Sequence, residues 1–102
     1  MAAYILATFE ITDPETYARY VSDVVPLIAK HGGEILVADR AGETLEGRPA
    51  PVTVILKFPS QEAARAWYDD PAYVPVRQIR FDCTKGASLA LLKELPKHRR
   101  EW

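Results

Sequence analysis

The segment Val52–Phe58, VTVILKF, constrains the fold of this chain most, because it is apolar on both of its faces. Prolines at 49, 51 and 59 bracket it, and its β-branched content reads as a strand. In extended backbone Val52, Val54, Leu56 and Phe58 point one way, and Thr53, Ile55 and Lys57 the other. The strand read over residues 3–11 behaves alike: Tyr4, Leu6 and Thr8 alternate with Ala3, Ile5, Ala7, Phe9 and Ile11. So does the strand read over 87–95, where Ser88, Ala90 and Leu92 alternate with Ala87, Leu89 and Leu91. A sheet with one wet face alternates cleanly between apolar and polar residues. Here both faces need a cover, and one layer of helices supplies only one. The economical second cover is another copy of the same chain, sheet against sheet, in a two-fold dimer.

Helix signals separate the strands. In TDPE, Asp13 suits the cap, Pro14 the first helical position and Glu15 the positive end of the helix dipole. Tyr17, Tyr20, Val21, Val24, Ile28 and His31 then follow at spacings of three and four, one helical stripe. Pro26 predicts a kink or break near Ser22–Asp23, and Gly32-Gly33 closes the helix. A second strand is read at 34–39, with RAGETLEG as an extension bent at Gly42. Ser60 caps a second helix, SQEAARAWYDD. Asp70-Pro71 repeats the cap-then-proline start for a short helix over about 71–82, bent at Pro75, and Gly86 ends the link to the last strand. The order β-α-β-β-α-β predicts an α+β, ferredoxin-like sandwich with a four-stranded antiparallel sheet and its helices on one face. One domain over 1–95 and a basic tail over 96–102 account for all 102 residues.

Several function classes are disfavoured. A net charge of −1 supplies no field for nucleic acid or an anionic membrane, and the aromatic residues fall mostly on helices. No segment has the twenty or so apolar residues of a membrane span, or the basic start of a secretory leader. The two histidines and one cysteine have no metal-ligand spacing, and no glycine-rich phosphate loop follows a strand. No cofactor or metal is therefore expected. With Cys83 alone no intrachain disulfide is available, which suits the cytoplasm.

The ordered set AYILATFEITDPETYARYV, KHGGEILV, LEG at 45–47, LKFPSQEAARAWYDDPAYVPV at 56–76 and then Arg80 resembles the family called domain of unknown function 1330, over roughly residues 2–95. The resemblance implies a dimeric α+β barrel in which two sheets face each other. It implies no established chemistry. The wider superfamily includes small monooxygenases, muconolactone-type isomerases and haem-binding enzymes that use the cleft between sheet and helices, but fold does not set function. Two positions bear on the rim of such a cleft. Arg40 stands where the pattern has a basic residue after LV, and GRPAP follows LEG in place of an aromatic residue.

The candidate ligand-binding residues are Tyr17, Glu46, Trp67, Tyr73 and Arg80. Tyr73, Arg77 and Arg80 share one side of the third helix, so two guanidiniums and a phenol can hold a small carboxylate. The competing reading pairs one arginine with Asp69, Asp70 or Asp82 and leaves the other in solvent. Trp67 is read as core or pocket wall. Tyr17 is read as packing with a hydroxyl that needs a partner. Glu46 is a base, or an ion-pair partner for Arg80 across the cleft, or only a turn residue. His31 sits at a helix C-terminus, where a cation is favoured in any case. No complete acid–base–nucleophile set is present, so no reaction type follows. Two functions remain: a small-molecule site for an organic acid or metabolite, in a binder or a cofactor-free enzyme, and a non-catalytic binding or assembly domain whose aromatic and Arg residues pack core and interface.

Overall fold

The computed structural model describes residues 1–96. The tail expected at 96–102, His98 included, lies outside the described residues apart from Pro96. The elements are β1 (Ala3–Ile11), α1 (Pro14–Lys30), β2 (Glu34–Asp39), β3 (Val52–Phe58), α2 (Gln61–Tyr68), α3 (Tyr73–Cys83) and β4 (Thr84–Lys93). The sheet order is β2-β3-β1-β4, with all three pairings antiparallel. This is the ferredoxin-like order, with the second helical crossover divided between α2 and α3.

The helix-side face carries Ala3, Ile5, Ala7 and Phe9 of β1 beside Val52, Leu56 and Phe58 of β3, all buried. The opposite face is continuous across all four strands. Val37, Ile55, Leu6 and Ala90 stand in one row, and Lys57, Tyr4 and Leu92 in the next. Among the described residues nothing covers this face. Leu92 is 44% exposed, and Leu6, Ile55 and Tyr4 are half-buried only by their neighbours in the sheet.

Caps act largely where the sequence places them. Asp13 Oδ1 accepts from the Thr16 backbone N–H at 3.3 Å, and Ser60 Oγ accepts from Ala63 N–H at 3.0 Å. α1, however, runs unbroken through Pro26. The proline removes one hydrogen bond to the turn before it, but Ser22 and Pro26 are both exposed, so water can serve the freed carbonyl. β2 stops at Asp39 and residues 40–51 form an irregular loop, so the expected strand extension is absent.

β4 begins at Thr84 and ends at Lys93, earlier at both ends than 87–95. Gly86, expected in a link, lies inside the strand at φ +61°. There the register with β1 jumps between Thr8↔Ser88 and Glu10↔Lys85, a bulge that glycine's left-handed backbone allows. A second bulge inserts Leu36 into β2 between Ile35↔Leu56 and Val37↔Ile55. It lets Ile35 and Ala38, three apart, face the helices together. Gly33 is fixed by close approach: a Cβ there would stand 2.6 Å from Ile28 Cγ2 and 2.7 Å from Phe58 Cε1.

Asp70 does more than precede a proline. Its Oδ1 accepts from Ala72 N–H at 2.9 Å, making Pro71-Ala72 a turn and delaying α3 to Tyr73. Its Oδ2 accepts from Lys30 Nζ at 2.9 Å and stands 2.8 Å from His31 Nε2. One carboxylate thus ties the end of α1 to the α2–α3 corner. The His31 and Lys30 contacts, with the Ala72 N–H, hold its pKa below the ordinary 3.8. A carboxyl whose pKa is depressed by folding stabilises the fold above its unfolded pKa, and that contribution is lost as pH falls. Asp70→Asn is therefore expected to lower the thermal unfolding midpoint at pH 7. It should also flatten the decline of stability below about pH 4, as read by thermal melts across a pH series.

Candidate functional site

Between α1 and the sheet lies an apolar cavity of about 90 Å³. Its floor is the helix-side face of the sheet, its roof is α1, and Trp67 and Arg80 close it from α2 and α3. The volume is enough for several waters or part of a small organic molecule. The cavity opens along a slot between α1 and the edge strand β2. The partly exposed lining residues lie there: Val21 at 36%, Val25 at 40% and Ile35 at 45%.

Arg80 is the unusual member of the lining. It is 3% exposed, and among the described residues it forms no ion pair. Its Nε is buried without a hydrogen-bond partner. The acids expected to compete for it are committed elsewhere. Asp69 pairs with Arg65 at 2.8 Å, Asp70 with Lys30 and His31, and Asp82 accepts from Gln78 at 2.9 Å. The ring of Phe81, 5.0 Å from the guanidinium carbon, faces the charge as a π surface. Arg77 does not join Arg80. It lies over the Tyr68 ring at 4.7 Å and the Tyr73 ring at 5.9 Å.

The other polar lining groups are donors as well. Trp67 Nε1 is buried with no partner. Its ring is held by Tyr73 at 4.6 Å and Phe58 at 5.6 Å between centroids. Tyr20 lines the cavity, and its hydroxyl is 2.9 Å from that of Tyr73. Within such a pair one hydroxyl donates and the other keeps a proton to offer. Tyr17 lines the cavity and stacks at 5.6 Å on Phe9 and 5.8 Å on Tyr20. Burial raises the pKa of both Tyr17 and Tyr20 above 10.0, so both remain protonated at neutral pH. No carboxylate or imidazole is among the lining residues.

The five residues singled out from sequence thus fall in three places. Tyr17, Trp67 and Arg80 meet at the cavity. Tyr73 is wholly buried behind it, bonded to Tyr20. Glu46 is exposed on the 40–51 loop, away from the lining, and makes no ion pair with Arg80. Sequence reasoning passed over the Tyr20–Tyr73 bond, which joins residues 53 apart, and the place of Arg40, whose guanidinium lies 5.2 Å over the Tyr17 ring. The basic residue after LV was the available signal for Arg40. Cys83 is buried, its pKa raised by that burial, and its Sγ lies 3.7 Å from the Arg80 carbonyl, so it is inert packing.

A buried, unpaired guanidinium is unfavourable in an otherwise apolar cavity. Arg80→Met keeps the length of the side chain and removes the charge. It is expected to stabilise the ligand-free protein by about 1–4 kcal/mol, measured by denaturant unfolding. Destabilisation by a similar amount would show that Arg80 serves the fold.

The structure of RPA0582, a protein of unknown function from Rhodopseudomonas palustris, is similar to this chain at 21% identity and a TM-score of 0.78. That match covers 93% of this chain and 83% of the other. A point variant of SnoaB, a cofactor-independent oxygenase from Streptomyces nogalater, aligns at 11% identity and a TM-score of 0.68, covering 97% and 98%. A dimeric protein of unknown function and ferredoxin-like fold from Bacteroides fragilis aligns at 11% identity and a TM-score of 0.54, covering 91% and 96%. At these identities the likeness shows the fold alone. A comparison with curated proteins found no match. The model of one family, described as domain of unknown function (DUF1330), matches residues 2–95, and the chain belongs to that family.

Proposed function

We propose that this chain binds a small organic acid in the cavity between α1 and the sheet, and does so as a homodimer joined through the open sheet faces. The observation that carries the first part is Arg80: a fixed positive charge, 3% exposed, with no ion pair among the described residues and an unpartnered Nε, in the wall of an apolar cavity. A carboxylate matches the guanidinium fork. Trp67, whose Nε1–H is unpartnered, and Tyr20 belong to the same lining, and its apolar remainder suits a hydrocarbon or aromatic body. With a guanidinium and no carboxylate or imidazole among its described residues, the lining favours negative charge and offers no strong base. A cofactor-free reaction in which negative charge develops on the ligand is the chemistry such a site would assist. The single cysteine, buried and unpaired, is in keeping with a cytoplasmic setting.

Benzoate serves as a probe acid. At a hundredfold excess over its dissociation constant it should stabilise the protein by about 2.7 kcal/mol. It should also change Trp67 fluorescence, read in a Trp102→Phe background. Arg80→Met should abolish both responses, and neutral benzamide should produce neither. Equal stabilisation by benzamide and benzoate would sink the organic-acid reading.

The second part rests on the row Val37–Ile55–Leu6–Ala90, with Tyr4 and Leu92 beside it, an apolar strip that no element among the described residues covers. The Bacteroides fragilis neighbour is described as dimeric, which supports the same reading. An assembly domain with no ligand would share this face, but it would not need an unpaired charge buried on the other side of the sheet. Leu6→Glu puts a charge at the centre of the open face. Light scattering coupled to gel filtration should give a dimer for the parent chain and a folded monomer for the variant. A dimer of unchanged affinity would remove the face from consideration.

A further inference from the structure

Arg80 is not the only guanidinium at the cavity. Arg40, the first residue after β2, lies 5.2 Å over the ring of Tyr17, which lines the cavity. The turn that places it there is built locally: Asp39 Oδ1 accepts from the Ala41 N–H at 2.9 Å, so the neighbouring acid is engaged with backbone. Arg40 is exposed and forms no ion pair among the described residues.

The topology brings the two cations to one end of the cavity. The N–H groups of Thr12 and Asp13 both donate to the Cys83 carbonyl, at 2.8 and 3.4 Å, which sets the last turn of α3 and Arg80 beside the start of α1. Strand β2 runs back along α1, so its C-terminal end and Arg40 arrive at the same first turns, at Tyr17. Both charges act on the Tyr17 phenol, Arg40 more strongly than Arg80. Arg80 is thus buried in the lining of the cavity, and Arg40 stands in solvent over Tyr17, a residue of the same lining. Neither has an acid from the described chain to meet it.

We infer that the ligand carries two acidic groups on a short apolar body, one held by Arg80 inside the cavity and the other by Arg40 in solvent beside Tyr17, and so belongs to the small dicarboxylates. This rests on the reading of the cavity as an organic-acid site, and it divides the work between the two arginines. Arg80 meets its carboxylate out of water, so that contact decides whether an acid binds at all. Arg40 meets its carboxylate in solvent, so that contact is weaker, sensitive to salt, and selects diacids over monoacids.

Benzoate and isophthalate share a ring and differ by one carboxylate, which makes them a matched pair of probes. Titration calorimetry on the parent protein, Arg40→Gln and Arg80→Gln separates the two contacts, with circular dichroism confirming that each variant is folded. Isophthalate should bind the parent roughly tenfold more tightly than benzoate at low salt. That advantage should shrink as salt rises to about 0.5 M. Arg40→Gln should bring isophthalate to the affinity of benzoate and leave benzoate unchanged, whereas Arg80→Gln should abolish both. If both acids bind the parent equally and Arg80→Gln still abolishes them, the diacid inference falls and the organic-acid site stands. If Arg40→Gln weakens benzoate as much as isophthalate, Arg40 serves the cavity as a whole and the inference falls likewise. If neither acid binds the parent, both readings fall together.

Discussion

The column of rings Phe58, Trp67 and Tyr73, completed by the Tyr20–Tyr73 hydroxyl bond, is the contact on which the helical layer depends. It joins β3, α2, α3 and α1 in one stack, with centroids 5.6 and 4.6 Å apart and the hydroxyls at 2.9 Å. Large aromatic side chains dominate the burial energy of small cores, and tilted pairs at these separations add to it. The column also decides where the layer does not close. Held up by bulky rings at one side and tied by Asp70 to Lys30 and His31, α1 stands over the sheet with a gap beneath it. The cavity follows from this support, and Trp67 belongs to both.

Charge placement inside that gap is unbalanced. The acids around the α2–α3 corner are all engaged: Asp69 by Arg65, Asp70 by Lys30 and His31, and Asp82 by Gln78. Arg80, on the same stretch of chain, turns inward and meets none of them. A protein under selection for stability alone would place an apolar residue there. That imbalance is the reason the proposed ligand is placed against this wall of the cavity.

The two faces of the sheet divide the roles. The helix-side face forms the cavity floor, helped by the Leu36 bulge that aims Ile35 and Ala38 together. The open face carries one aliphatic row, Val37–Ile55–Leu6–Ala90, flanked by Thr53, Thr8 and Ser88 on one side and by Lys57, Tyr4 and Leu92 on the other, and it is the surface proposed to meet a second copy. The proposed binding and the proposed assembly therefore fall on opposite sides of the same four strands.

Much of the architecture was legible in the residues. Period-two alternation located the strands, spacings of three and four located α1, and Asp13, Pro14 and Ser60 marked helix starts, because these signals depend on neighbours in sequence. The two-faced pattern of 52–58 showed that one helical layer could not cover the sheet. Trp67, Tyr17 and Arg80 were named as candidates, but the stretch from Trp67 to Arg80 contains Asp69 and Asp70, and Asp82 follows it, all within reach by spacing. Nothing local says which cation each will choose. Only the tertiary structure decided that Lys30 and His31, some 40 residues away, take Asp70, that Arg77 lies on Tyr68, and that Arg80 is left alone. Only it moved Glu46 away from the cavity and brought Arg40 to Tyr17. The reason is physical: secondary structure is set by short-range backbone preferences. The partner of a buried charge is set by which distant groups the packed fold brings within about 4 Å.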